Sequence, residues 1–249
     1  MELLEIGTVI SMPTKPADPS VPSHVLDDPA RSSLLGPHAR FAESVGAVLR
    51  YHPDVSVFVS LPPDPGEQDW RDAAKLLGPG GVVPTAGTDP TLPPGWEQVM
   101  RIPGVQMTGE DVYGAADPEA VRLGAEDVPE MLALVEHANP GPFKTRTVEL
   151  GTYLGLRHEG RLIAMAGERL HPPGWTEISA VCTHADFRGK GLASRLINAV
   201  AHGIRERGET PFLHAAAQNP AIGLYESLGF RLRQHVVFGG YQVPVQYSE

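Results

Sequence analysis

The chain has little cysteine, few basic residues and no long apolar segment. Cys182 is its single cysteine, which excludes an intramolecular disulfide. The 20 Lys and Arg residues stand against 30 Asp and Glu residues, and the formal net charge of −10 argues against nucleic acid or an anionic membrane as a partner. The start, Met1 to Glu5, lacks the basic and apolar stretches of a signal peptide, and no apolar run is long enough to span a bilayer. We therefore expect a cytoplasmic protein.

The most informative segment that is present is a glycine loop, Arg188-Gly189-Lys190-Gly191-Leu192-Ala193. The residues before it, Thr176–Thr183, are rich in β-branched side chains and predict a strand. Apolar residues then recur at helical spacing from Leu192 to Ile204. A glycine loop at a helix N-terminus exposes backbone N–H groups and the positive end of the helix dipole, which is typical of phosphate binding. Arg188 and Lys190 add positive charge at the same place.

Other glycine-loop motifs fit this segment poorly. A Walker-type loop requires Ser or Thr after the lysine, but Gly191 follows Lys190, and His184 stands where its first glycine would be. A dinucleotide-binding fingerprint requires a third glycine, and that position is Ser194. An ordinary turn that caps the helix explains the glycines without any ligand. Taken alone, the loop leaves the phosphate site and the capping turn as open alternatives.

A second block follows after one predicted helix and one predicted strand: Asn219-Pro220-Ala221-Ile222-Gly223-Leu224-Tyr225-Glu226-Ser227-Leu228-Gly229-Phe230. Arg188-x-x-Gly191-x-Ala193 resembles the Q/R-x-x-G-x-G/A motif of the GNAT superfamily, the acetyl-CoA-dependent N-acetyltransferases. The second block is similar to the N-x-x-A-x-x-L-Y-E-x-x-G-F segment of the same superfamily. The resemblance covers roughly residues 117–249. It implies an α/β (α+β) fold, with a mixed, mostly antiparallel sheet flanked by helices and a smaller α/β domain before it.

Composition and pattern divide the chain into three segments. Residues 11–24 are too rich in proline for regular structure, and residues 1–24 are expected to form an extended arm. Residues 25–116 predict an N-terminal α/β domain, for which a degenerate copy of the GNAT fold is one open interpretation. Within it we expect a helix at 37–50, a strand at 55–61 and a helix at 66–77, then strands near 81–86 and 98–108. Residues 117–249 form the expected GNAT domain.

The resemblance implies how acetyl-CoA would be held. In the superfamily, the strand before the loop splays from its neighbour and its main chain contacts the pantetheine arm, which maps here to Val181, Cys182 and Thr183. The pyrophosphate would lie against the loop, which comprises Arg188, Gly189, Lys190, Gly191, Leu192, Ala193 and Ser194. Asn219 is a further candidate contact, although it stands six residues before the tyrosine instead of the usual seven, and an N-cap before Pro220 also explains it. No metal is implied.

The catalytic side chains implied by the resemblance are Tyr225 and Glu177. Tyr225 matches the tyrosine that protonates the departing thiolate, although a core tyrosine is the structural alternative. The amine proton could pass to a carboxylate with a raised pKa or to a water relay. Glu177, six residues before Thr183, is the candidate carboxylate, or else a surface residue. His214 and His184 are further candidates. An acyl-cysteine at Cys182 is the sharper alternative to a half-buried strand residue there.

Two functions fit this sequence. One is transfer of an acetyl group from acetyl-CoA to a primary amine by direct attack in a ternary complex, with a small-molecule or peptide acceptor. The other is a non-catalytic protein that binds or senses acyl-CoA. We expect a monomer or a homodimer, and we expect residues 137–150 to form one wall of the acceptor site.

Overall fold

The structure, a computed structural model, describes residues 24–87, 89–138 and 141–245. The predicted arm at 1–24 therefore lies almost wholly outside the described residues. The first described elements are α1 (Pro29–Leu34), β1 (Ala42–Val45), β2 (Val48–Tyr51), β3 (Val59–Ser60) and α2 (Glu67–Leu77). The three strands form a small antiparallel sheet in the order β1-β2-β3.

The helix expected at 37–50 is wrong, because this segment forms a 3-10 turn followed by the β1–β2 hairpin. Gly46, in the hairpin turn, has a φ of 55°, a left-handed conformation that interrupts any helix and that glycine adopts without strain. A Cβ atom at Gly46 would also lie 2.1 Å from Asp72 Oδ2. The expected strand at 55–61 shrinks to Val59–Ser60, whereas the expected helix at 66–77 is confirmed as α2.

The remaining elements build the main sheet and its helices. In chain order they are β4 (Val82–Gly87), β5 (Glu97–Thr108), β6 (Val121–Leu123), α3 (Val128–Ala138), β7 (Tyr153–His158), β8 (Arg161–Glu168), β9 (Trp175–Thr183), α4 (Leu192–Glu206), β10 (Thr210–Ala216), α5 (Ile222–Ser227) and β11 (Arg231–Gln242). The eight strands lie in the order β4-β11-β5-β10-β9-β8-β7-β6. Among the strand pairs that the described residues form in this sheet, only β9–β10 is parallel. The predicted fold class is confirmed: a mixed, mostly antiparallel sheet flanked by helices.

The two faces of this sheet bury different parts of the chain. On one face, α4 packs Leu196, Ile197 and Val200 against sheet residues that include Ile178. The other face carries α3 beside β7–β9, and next to it the N-terminal segment, whose Leu34, Phe41 and Tyr51 surround Phe212. We call these the α4 face and the α3 face.

The eight-stranded sheet continues across the boundary predicted at residues 116 and 117. β4 and β5 come from the segment assigned to the N-terminal domain, yet β5 lies between β10 and β11. It pairs with β11 from Glu97 to Thr108 and with β10 from Gly104 to Thr108. The sheet therefore does not divide where composition suggested, and the small β1–β3 sheet is the part of the N-terminal segment that stands apart from it.

Candidate functional site

The parallel strands β9 and β10 separate after only three paired residues. Their pairing runs from Trp175 opposite Thr210 to Glu177 opposite Phe212 and then stops, although both strands continue. Beyond that point β9 stays paired with β8, and β10 stays paired with β5. The main-chain groups that the two strands turn toward each other are therefore left for a ligand to bond. We call this opening the splay.

A bulge turns the backbone of β9 within the splay. Ala180 has a φ of 52°, which is uncommon for a residue with a side chain, and the β8–β9 register shifts between Met165 and Gly167. After the bulge, Val181 packs toward the core of the α4 face, and Cys182 is buried with the residues of the α3 face. The bulge thus changes the direction of the main chain at Val181, Cys182 and Thr183, the residues expected to contact the pantetheine arm.

Cys182 does not have the environment of a nucleophile. Its side chain is 5% exposed, and burial raises the pKa of the thiol to about 12, so the thiolate is scarce at neutral pH. Cys182 fits the simpler expectation of a small buried strand residue.

The glycine loop leads from β9 into α4 and has the geometry of a phosphate cradle. Gly189 and Gly191 have φ values of 76° and 74°, and a Cβ atom at either position would meet nothing within 4 Å. The first helical hydrogen bond of α4 is donated by Arg195 N to Gly191 O, so the N–H groups before it are available to a ligand. These observations fit the pyrophosphate of acetyl-CoA, for which the loop offers open space and donors together.

Charged side chains around the loop are arranged unevenly. Arg195, in the first turn of α4, forms a bidentate ion pair with Asp117: its Nε donates to Oδ2 at 2.7 Å and its Nη2 donates to Oδ1 at 2.9 Å. Arg188 and Lys190 are exposed, and Lys190 Nζ lies 4.7 Å from the centre of the Phe187 ring. Among the described residues of the loop, Arg188 and Lys190 lie outside this ion pair, and Arg188 Nε donates to Thr183 O at 3.4 Å. Leu192, the first residue of α4, is buried in the core of the α4 face, and Ala193 and Ser194 are half-buried in the same turn.

Tyr225 and Asn219 lie in and before α5. Tyr225 is 8% exposed, packs in the core of the α4 face and has no hydrogen-bond partner for its hydroxyl among the described residues. Burial raises the pKa of this hydroxyl, so it keeps its proton at neutral pH. Asn219 Oδ1 accepts a hydrogen bond from Ala221 N at 2.9 Å. Asn219 therefore caps the local turn that precedes α5.

Glu177 is held in a buried polar group at the base of the splay. Its side chain is 0% exposed, and Arg169 donates to both carboxylate oxygens at 2.6 and 2.8 Å. His214 Nδ1 donates to Glu177 Oε1 at 2.7 Å. Burial alone would raise the pKa of Glu177, but the charge of Arg169 and the hydrogen bonds from both neighbours outweigh it and lower the pKa to about 2.

This environment disfavours Glu177 as the base, and its complete burial contradicts the alternative of a surface carboxylate. A base for an ammonium group needs a raised pKa and access to the substrate, and Glu177 has a lowered pKa and no exposed surface. His214 is also engaged at both ring nitrogens, because the Gln106 amide lies 3.0 Å from its Nε2. His184 lies past the end of β9, where Arg161 Nη2 approaches its Nε2 at 2.8 Å.

Sequence reasoning missed Arg169 and Gln106. Arg169 follows β8 and meets Glu177 because the β8–β9 hairpin brings them together, a pairing that only the strand register reveals. Gln106 comes from β5, more than a hundred residues from His214, and no local pattern marks it.

The N-terminal segment covers the α3 face of the splay. Arg233 reaches Gln106 Oε1 at 2.8 Å and Asp27 Oδ1 at 2.6 Å, and the Phe58 ring lies 4.9 Å from the Arg169 guanidinium. Two residues of the segment 137–150 form hydrogen bonds with the same N-terminal segment. Thr147 Oγ1 donates to Val55 O at 2.7 Å, and Arg146 N donates to Asp54 O at 2.9 Å.

Known proteins resemble this arrangement. A family model described as FR47-like protein matches residues 153–238, a range that contains the splay, the glycine loop and Tyr225. A protein assigned to the GNAT family, from Novosphingobium aromaticivorans, is 39% identical. Its crystal structure matches with a TM-score of 0.81 over 88% of this chain and 98% of that one. The chain belongs to the GNAT family. This GNAT chain is accordingly an acetyltransferase, and the GNAT acetyltransferases use acetyl-CoA.

A more distant structure shares the GNAT fold. A GCN5-related N-acetyltransferase from Kribbella flavida is 18% identical, with a TM-score of 0.59 over 86% of this chain and 94% of that one. No curated protein matches the chain. Within the described ranges, no helix has the length and apolar character that crossing a membrane requires. The same ranges contain no group of three or more His, Cys, Asp or Glu residues placed to hold a metal ion.

Glu177 makes the stability of the protein depend on pH. Its pKa is about 2 in the folded protein, against an ordinary value of 4.5, so its contribution is fully present above pH 4.5 and is lost as the pH falls toward 2. We expect the difference in unfolding free energy between the wild type and Glu177→Gln to be constant above about pH 5 and to shrink below it. Urea unfolding at a series of pH values measures this difference. A constant difference down to about pH 3 would contradict the lowered pKa.

Proposed function

We propose that this GNAT protein transfers the acetyl group of acetyl-CoA to a primary amine by direct attack in a ternary complex. The observation that carries the proposal is the splay, which opens just beyond Glu177 and Phe212 on the strand that leads into the glycine loop. Acetyl-CoA supplies the acetyl thioester. An acceptor that meets it in the splay can attack the acetyl carbon without a covalent enzyme intermediate.

Two parts of the chain hold the co-substrate in this proposal. The main chain of Val181, Cys182 and Thr183 bonds the pantetheine arm, and the loop from Arg188 to Ser194 holds the pyrophosphate. Asn219 shapes the turn before α5 through its bond to Ala221. The raised pKa of the Cys182 thiol supports direct attack over an acyl-cysteine.

The amine must lose a proton before or during attack. Glu177 and His214 are both occupied by buried hydrogen bonds, which favours water as the proton acceptor over either side chain. The net charge of −10 favours cationic acceptors, since an ammonium group is drawn toward an acidic protein.

Tyr225 protonates the departing thiolate in this proposal, because its hydroxyl keeps its proton and has no partner among the described residues. Replacing Tyr225 by phenylalanine is expected to lower kcat by about 100-fold while acetyl-CoA still binds. Free-thiol release from acetyl-CoA in the presence of an amine measures this loss. Tyr113→Phe is the matched control, because Tyr113 is 67% exposed and should leave the rate unchanged. A Tyr225→Phe enzyme with the wild-type rate would exclude the acid role.

A second function, a sensor that binds acetyl-CoA without transferring the acetyl group, draws support from the cover on the α3 face. On that side, Arg233 donates to Asp27 Oδ1 at 2.6 Å, and Gln106 donates to Leu26 O at 2.8 Å. Residues of the N-terminal segment therefore occupy the space from which an acceptor would approach. A panel of amines, polyamines, amino acids and peptide N-termini separates the two functions. Amine-dependent thiol release identifies the transferase, whereas tight acetyl-CoA binding without turnover for any acceptor identifies the sensor.

A further inference from the structure

Tyr153 is a buried tyrosine whose hydroxyl has no hydrogen-bond partner among the described residues. Its side chain lies in the core of the α3 face, and the residue is 1% exposed. Burying a hydroxyl without a partner costs stability, so native proteins satisfy nearly all such groups unless function requires otherwise. Phenylalanine would fill the same space at no such cost.

The strand register directs this hydroxyl toward the splay. Tyr153 on β7 stands opposite Gly167 on β8, and Gly167 stands opposite Ser179 on β9. A Cβ atom at Gly167 would lie 2.2 Å from the Tyr153 ring, so the ring lies across the glycine. Since neighbouring strands are about 4.8 Å apart, a ring crossing β8 brings its hydroxyl close to β9. The β9 residue in this register is Ser179, which lies two residues past the last β9–β10 pair.

The surroundings give this hydroxyl a polar neighbourhood and keep it protonated. Burial raises the pKa of Tyr153, and the charges of Arg169 and Glu177 are near enough to act on it. A protonated hydroxyl can donate one hydrogen bond and accept another, but it does not act as a base.

The side of the sheet decides which reactant it meets. Leu192, which directly follows Gly191 in the glycine loop, packs in the core of the α4 face, and so does Tyr225 of α5. Tyr153 belongs to the core of the α3 face, with Met131 and Cys182. A co-substrate held by the loop enters from the α4 side, so the group that reaches Tyr153 from within the splay is the acceptor.

We infer that the Tyr153 hydroxyl binds the acceptor amine, which makes Tyr153 a residue that positions the acceptor for attack. This inference rests on the proposed function. The hydroxyl accepts a hydrogen bond from the amine N–H at the splay and holds the nitrogen against the acetyl carbon. The cost of leaving the hydroxyl unpaired in the free enzyme is recovered when the acceptor binds.

The test is Tyr153→Phe, in which only the hydroxyl is removed. We expect three results together: equal or greater stability to urea, unchanged acetyl-CoA affinity, and a kcat/KM for the acceptor about tenfold lower, mainly through a higher KM. Tyr241→Phe is the matched control, because Tyr241 is a buried tyrosine of β11 whose hydroxyl donates to Asp89 Oδ1 at 3.1 Å. That variant should lose stability and keep its kinetic constants.

Each other outcome has a definite meaning. If Tyr153→Phe lowers stability, the hydroxyl is already satisfied inside the protein, and the inference fails. If stability rises but the acceptor KM and kcat stay at wild-type values, the hydroxyl does not meet the acceptor, and the inference fails while the proposed function stands. If the wild-type protein turns over no amine at all, the proposed function fails, and the acceptor contact fails with it.

Discussion

Replacing Gly191 by valine is expected to abolish the stabilisation that acetyl-CoA gives the protein. For the wild type, a hundredfold excess over the dissociation constant should raise the unfolding free energy by about 2.7 kcal/mol. Gly191 is the N-cap of α4 with a φ of 74°, and a Cβ atom there would meet no atom of the described residues within 4 Å. The added side chain therefore protrudes into the space where the ligand phosphates would lie, and it disfavours the left-handed backbone that aims the amides.

Thermal or urea unfolding with and without acetyl-CoA measures this effect. Gly208→Val is the matched control, because Gly208 lies just beyond the other end of α4 with a φ of 79° and an equally open Cβ position. It should cost similar stability through backbone strain but keep the full response to acetyl-CoA. If Gly191→Val responds as the wild type does, the loop is not the pyrophosphate site and the capping turn is the better interpretation.

Replacing Glu177 by alanine is expected to destabilise the protein by about 3–5 kcal/mol, because it leaves the buried charge of Arg169 without its partner. The side chain of Arg169 is only 11% exposed, and both of its bonds to Glu177 would be lost. A loss of this size is a large share of the stability of an ordinary domain. Urea unfolding at neutral pH measures it.

A double variant tests whether the loss of stability comes from the unpaired buried charge of Arg169. Arg169→Met combined with Glu177→Leu removes both charges and should recover much of the stability that Glu177→Ala loses. A catalytic base would behave differently, since its removal would abolish activity in a protein of normal stability. A Glu177→Ala protein within about 1 kcal/mol of the wild type would contradict the structural role assigned to this carboxylate.

Local patterns predicted much of the second half of the chain. The β-branched run before Thr183 and the apolar spacing from Leu192 to Ile204 marked β9 and α4, because both elements bury one face against a continuous core. The glycines at 189 and 191 marked the turn between them. These features depend on neighbours in sequence, which a single chain displays directly.

Features that depend on distant pairing were beyond such patterns. The segment 37–50 has the apolar content of a helix, but it forms a hairpin that turns at Gly46 against Asp72 and pairs with β3. Glu177 has the motif spacing expected of a base. Its partner Arg169 lowers its pKa, whereas a base would need a raised one. The orientation of Tyr153 across Gly167 likewise follows from the register of three strands.

The position of β5 has a consequence for how the chain assembles. This strand is made early, yet both of its partners, β10 and β11, lie more than a hundred residues later. During synthesis, both edges of β5 therefore stay unpaired until nearly the whole polypeptide has been made. Closing such long loops slows folding. A fragment beginning at residue 117 would lack β5, the strand that separates β10 from β11. The sheet of the second half therefore needs a strand from the first half to be complete.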